Sequence, residues 1–335
     1  MAKGLIFLPI FAILALVALA PWVAAHSPLF PEENHSLATA KQIEDMEKSF
    51  AIYHELEAEE ASYYKFEMKE GDRISLQLLT PDSPARTEFL PGLALLGPGI
   101  LENDSLPAFV EVPSGYGKLV EQGDSTAEGE LEPFTPGPIF DLARVDVLAP
   151  EDGLYYAVVF SGEVGGNYAL AVGYVEGFTF EEIVLLPMNL ILIYQWEGQE
   201  LWEALLPYLS VFLLGGMAAI YGYTRVKRPS SLAQWAALIS ALAFFGSSAS
   251  VLYQLAFSFM GVEPSFTVLL SISFMAIYLL LGILMARFAY RKAGRTAPVT
   301  RLILVAISLI GIALWGGIYI GPAFALLAAL LPSKE

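Results

Sequence analysis

ALLPYLSVFLLGGMAAIYGYT, residues 204–224, carries no charged side chain. A helix needs about 20 consecutive apolar residues to cross a bilayer, and this run is long enough. Arg225, Lys227 and Arg228 follow it at once. The chain before it is acidic and strand-like. The chain after it is apolar and helical.

The charges divide at the same place. Between residues 26 and 203 there are 33 Asp and Glu against 8 Lys and Arg, and from residue 204 onward 2 against 9. The overall net charge of −17 hides that split. With 56% hydrophobic and 16% charged residues, the composition is that of a membrane protein. A strongly acidic outer part disfavours nucleic acid and anionic lipid as partners. There is no cysteine, so neither a disulfide framework nor a thiolate metal site is available.

Three further spans are expected, at residues 231–260, 264–286 and 302–331. The linkers 225–230 and 287–301 are basic, and the turn Gly261-Val262-Glu263 between them is acidic. The positive-inside rule places both basic linkers in the cytoplasm, with the acidic domain, Glu263 and the C-terminus outside. Gly317 and Gly321 have the GxxxG spacing that permits close helix packing. Pro322 is expected to kink or end the last span.

Residues 1–25 read as a secretory signal, with Lys3, an apolar core and a small-residue cleavage pattern at Val23-Ala24-Ala25; an uncleaved anchor helix is the alternative. Cutting there would make His26 the mature N-terminus. Residues 26–177 then show period-two patterning. SFAIYHELEA, ASYYKFEM, GDRISLQLL, LPGLALLGPGI, FDLARVDVLAP, LYYAVVF and NYALAVGYV read as strands, about eight in all, the last two as a hairpin across Gly165-Gly166. That pattern predicts an all-β, jelly-roll-like sandwich joined to an α-helical transmembrane bundle. Residues 178–203 are expected to form an interfacial helical connector. It opens on a capping box at Thr179 and Glu182 and is interrupted at Pro187.

ASYYKFEMKEGDRISLQLL and APEDGLYYAVVFSGEVGGNYALAVGY together resemble the bacterial prepeptidase C-terminal β-sandwich. The shared features are an aromatic strand, a Gly turn, a Gly-x-Tyr-Tyr strand and a Tyr-x-Leu-x-Val strand. The resemblance covers about half of the outer domain and implies an accessory or binding module. Some relatives bind calcium through clustered Asp, and no such strand-end cluster is present here.

Enzyme motifs do not assemble. His54-Glu55 lacks the second His of H-E-x-x-H, there is no G-x-S-x-G, and Gly115-Tyr116-Gly117-Lys118 is not a P-loop. The four spans contain no Asp, Glu, Lys, Arg or His, which argues against a pump or proton relay. The serines at 240, 247, 248 and 250 and Gln254 read as interhelical hydrogen-bond partners.

The leading expectation is a non-enzymatic accessory subunit of a membrane complex. Its partners would be other membrane subunits, and its outer domain would engage a surface ligand. A receptor acting through a partner is a further alternative. So is copper handling: a mature His26 offers an amine and an imidazole, and His35, or less directly His54, would add a third nitrogen. This is similar to the histidine brace of copper monooxygenases, although their later His-x-His pair is missing. Phe109, Tyr116, Phe134 and Phe140 are candidate recognition aromatics in loops, or else plugs for the end of the sandwich. Asn34 and Asn103 stand in N-x-S sequons.

Overall fold

The computed structural model describes residues 26–32, 34–83, 87–225, 229–291 and 296–332. The expected signal segment, Lys227, Arg228, Lys292 and Arg295 lie outside them. The described residues form two β-sheets and six helices.

One sheet has six strands in the order β1(Ser27–Leu29), β3(Phe50–Leu56), β11(Gly166–Val172), β5(Arg73–Thr80), β9(Gly137–Leu148), β8(Gly129–Glu132). The other has five, β2(Lys41–Gln42), β4(Ala61–Met68), β10(Gly153–Phe160), β6(Gly92–Gly97), β7(Gly117–Glu121). Alternate residues meet between the sheets: Ile52, Leu76, Leu78, Val145 and Leu170 from one, Tyr64, Phe66, Leu95 and Val159 from the other. The Tyr64 and Tyr168 hydroxyls, 2.6 Å apart, close a hydrogen bond across this core.

The outer face of the five-stranded sheet is covered. The five-stranded sheet turns Tyr63, Leu96, Tyr156 and Val158 toward a layer of loops carrying Ala40, Leu106 and Val110. This explains why β6 and β10 read as unbroken apolar runs: strands covered on both sides need no polar alternation. The expected β10–β11 hairpin is not formed. β10 pairs with β4 and β6, and β11 with β3 and β5, so the Gly165-Gly166 turn carries the chain from one sheet to the other.

Helices cover part of the outer face of the six-stranded sheet, while Arg73, Asp141, Arg144 and Asp146 on β5 and β9 stay exposed. α1(Phe180–Trp196) starts on the predicted capping box, in which Thr179 Oγ1 accepts from Glu182 N–H and the Glu182 carboxylate accepts from Thr179 N–H. Glu182 also pairs with Lys48 at 2.6 Å. At the other end Trp196 Nε1 donates to Tyr168 O, and Asn167 Nδ2 donates to Trp196 O. Both ends are thus tied to the sheet, and the helix lies along it. Pro187 does not break α1 as expected. A mid-helix proline leaves the carbonyl four residues back without its donor, and Tyr319 Oη donates to that carbonyl, Ile183 O.

Among the described residues three helices are long and apolar enough to cross a membrane: α2(Leu201–Arg225), α3(Leu232–Ser258) and α4(Val268–Ala289). α3 is central, with 61% of its apolar stretch buried against 17% for α2. Glycines let the helices close up: the Tyr208 ring lies over Gly246, Leu242 over Gly215 and Phe245 over Gly282.

The expected fourth span, 302–331, is a reversal instead. α5(Pro298–Ala313) ends at Leu314, and α6(Ile320–Leu330) begins six residues later. Between them Trp315, Gly317, Ile318 and Tyr319 all have positive φ. Gly317 N–H donates to Ser247 Oγ and Ser240 Oγ donates to Gly321 O, so α6 descends as the residue numbers of α3 fall. Ser308 Oγ donates to Pro322 O, which holds α5 and α6 antiparallel. Gly317 and Gly321 do pack against α3, but at a turn and not along one continuous helix. The end of α6 therefore lies toward the end of the bundle where Gln234 Nε2 bonds Arg291 O, the basic end, whereas a fourth span would have ended on the β-domain's side.

Candidate functional site

The β8–β9 turn joins the two halves. Residues 133–136, PFTP, drop from the six-stranded sheet into the mouth of the bundle. Ser271 Oγ on α4 donates to Pro133 O, and Ser258 Oγ, at the end of α3, donates to Pro136 O. The Phe134 ring lies 6.0 Å from Phe274, which lies 5.9 Å from Trp315. Beside this plug Leu131, Phe140 and Leu142 pack on Leu255 and Val262.

A cavity of about 230 Å³ opens between the sheet, α1 and the strained turn. His26, Tyr53, Glu132, Phe134, Phe178 and Trp315 line it, with Leu186, Leu190 and Ile193 from α1 as its apolar floor. Glu132 Oε1 accepts from Phe134 N–H at 3.0 Å. Glu197, at the end of α1, is 6% exposed, and its Oε2 has no hydrogen-bond partner. Burial lifts the Glu132 carboxyl to about 7. Burial first, and then the nearby Glu132 charge, push Glu197 well above the carboxylate range. Burial also raises the Tyr53 phenol, with Glu132 and Glu197 adding to the rise, and lowers the His26 imidazole.

This has a measurable consequence. A carboxyl with a raised folded pKa binds more protons in the folded than in the unfolded state, so stability falls as pH rises. For Glu132 the fall begins near the unfolded value of 4.5 and is complete above 7. Its size is about 3 kcal/mol, from about 1.4 kcal/mol per pKa unit. Thermal unfolding of the full chain in detergent across this range should show the decline, and Glu132→Gln should make it shallower by that amount, leaving the share in the same sense that buried Glu197 contributes to both proteins. His26 acts in the opposite sense below 6.5 but is common to both proteins. Identical pH profiles for the two would refute the assignment.

The expected site residues disperse. His26 Nδ1 is bonded to Ser49 Oγ at the start of β3. His35 and His54 come together instead, with ring centroids 5.7 Å apart, and His35 Nδ1 lies 3.0 Å from Glu60 Oε1. Residues 49 and 54 lie roughly 16 Å apart at the strand rise of about 3.3 Å per residue, so His26 and His35 do not form one copper site in this fold. Among the described residues no group of three or more His, Asp or Glu is placed to hold a metal.

Asn34 is 1% exposed and donates to Tyr63 O, so its sequon is closed to a glycan, whereas Asn103 is exposed. Phe109 is half-exposed and Tyr116 packs near Tyr156, 6.2 Å away. Phe134 and Phe140 pack at the junction with the helices, and Phe134 also lines the cavity. Sequence reasoning missed Glu132 and Glu197 because the chain is rich in carboxylates and nothing local marks these two for burial.

No protein-family model and no curated protein matches this chain. Among solved structures, Salmonella Typhimurium PliG, a periplasmic lysozyme inhibitor of g-type lysozyme, matches at 12% identity. The match covers 40% of this chain and 97% of that one, with a TM-score of 0.23. At that level the likeness carries no argument.

Proposed function

We propose that this chain is a non-enzymatic membrane protein of the cell envelope, an accessory subunit that holds a binding domain in fixed orientation above a helical bundle. The β-domain would face outward and the basic turns would face the cytoplasm, in keeping with the positive-inside rule. We read the β-domain as related to the prepeptidase C-terminal sandwich on the strand motifs quoted above.

The observation that carries the reading is the outer face of α2. Leu209, Leu213, Met217 and Ile220 are more than half exposed there, and Gly216 has no atom within 4 Å of where a Cβ would sit. A small residue amid large apolar ones is the surface against which a partner helix packs closely. An anchor alone needs one span, and the described residues have three helices long enough to cross.

Native extraction in mild detergent should yield the chain in a complex with another membrane subunit. Gly216→Leu fills space that is empty in this chain, so it should leave the isolated protein's melting temperature unchanged while displacing the partner. Recovery of wild-type protein solely as monomer would end this reading.

A further inference from the structure

The cavity beneath the six-stranded sheet has a chemical character of its own. Four aromatic rings surround it, those of Tyr53, Phe134, Phe178 and Trp315, and one carboxylate, Glu132, opens into it. No Lys or Arg is among its lining residues. We infer that it binds a compact organic cation, an alkylated ammonium group.

Three alternatives fit the lining less well. A neutral apolar occupant would leave Glu132 facing the cavity without a counter-charge, and burying an unpaired charge is costly. A hard metal ion takes six or more oxygen ligands, which this lining does not supply. A hydrated ammonium would have to shed water against Leu186, Leu190 and Ile193 with little to replace it. An alkylated ammonium suits all three surfaces: its methyl groups rest on the apolar floor, its charge sits among the aromatic rings, and the carboxylate balances it. A volume of about 230 Å³ lies below the range of about 300–1,000 Å³ usual for drug-sized ligands, so the occupant is a headgroup and not a headgroup with its chains.

Two independent features point the same way. Glu197 is buried, its charge raises the Tyr53 phenol, Glu132 raises Glu197 in turn, and it keeps one oxygen unpartnered. The wall formed by Trp315 is held in a left-handed backbone conformation, φ +42°, that a tryptophan rarely adopts. Strain of this kind persists where surrounding contacts over-determine it and clusters at ligand clamps. Here Tyr278 Oη donates to Leu314 O, and Phe274 packs on the indole.

Charge dependence follows from the titratable groups that line the cavity, Glu132, Tyr53 and His26, and from Glu197, which interacts with two of them. Glu132 is the carboxylate that ionises near neutrality. Glu197 and Tyr53 remain protonated there, and His26 is neutral. Binding therefore strengthens as pH rises through about 7.

The test uses the full chain in a maltoside detergent, which carries no ammonium group. Calorimetric titration with choline at pH 8 should show saturable binding at least about tenfold tighter than that of its neutral carbon isostere, dimethylbutanol. Glu132→Gln should abolish that preference while keeping the circular dichroism and melting of a folded protein. Equal affinity for choline and the isostere, or a preference that survives Glu132→Gln, overturns the proposal. Lipid discs distinguish the source of the cation. Choline binding lost in phosphatidylcholine discs and present in phosphatidylglycerol discs identifies a lipid headgroup, and equal binding in both identifies a free cation.

Discussion

A cysteine introduced at Pro332 is expected to react with a membrane-impermeant maleimide from the same side as one at Tyr290, and never from the side that labels one at Glu128. The chain has no cysteine of its own, so each variant reports a single site. Glu128, Tyr290 and Pro332 are all exposed. The expectation comes from the direction of α6. Ser247 meets Gly317, Ser240 meets Gly321 and Ser308 meets Pro322, and these contacts fit only a helix running back toward the start of α3. In intact cells with the β-domain outward, Glu128→Cys should label fully, while Pro332→Cys and Tyr290→Cys should label only after permeabilisation. A four-span chain would show Pro332→Cys labelled together with Glu128→Cys. That pattern would mean α5 and α6 form one continuous crossing helix.

Hydropathy alone does not distinguish these outcomes. The turn Leu314-Trp315-Gly316-Gly317-Ile318-Tyr319 is as apolar as the helices on either side, with no Asn, Asp or Pro to mark a reversal. The charge split, by contrast, was plain to read, because Lys and Arg flank membrane helices for a reason that acts locally. The capping box at Thr179 and Glu182 was legible for the same reason: three residues suffice to form it. The serines of α3 were correctly read as interhelical partners, bonding Gly321, Met275 and Gly317.

The sheets were legible strand by strand but not in their pairing. A turn such as Gly165-Gly166 serves a hairpin or a crossing between sheets equally well, and which one forms depends on distant strands. The cavity is the extreme case. Its wall draws on residues 26, 28, 53, 132, 134, 135, 178, four positions of α1 between 186 and 193, and 315, which share no motif because several separate elements place them. Glu132 lines the cavity while its acidic neighbour Glu130, two residues back on the same strand, is exposed.

Phe244→Ala is expected to be the most damaging single truncation in the bundle. The ring is fully buried on α3 and stands against Gly311, Gly316 and Gly321, where α3 meets both arms of the reversal. Large-to-small changes of Phe in a core cost about 3–5 kcal/mol, combining a transfer cost and a cavity cost. In a membrane the transfer share is small, because lipid tails are as apolar as the protein interior. The cost should therefore fall near the low end, about 3 kcal/mol, and consist mostly of lost packing. Leu252 on the same helix separates the two contributions, since it is 59% exposed and lipid can fill the space its side chain leaves. Thermal melting of both variants in one detergent should show a large loss for Phe244→Ala and almost none for Leu252→Ala. Equal losses would show that burial of apolar area, and not the fit of one ring against three glycines, holds the reversal in place. The strained backbone at Trp315 would then have to be held by other contacts.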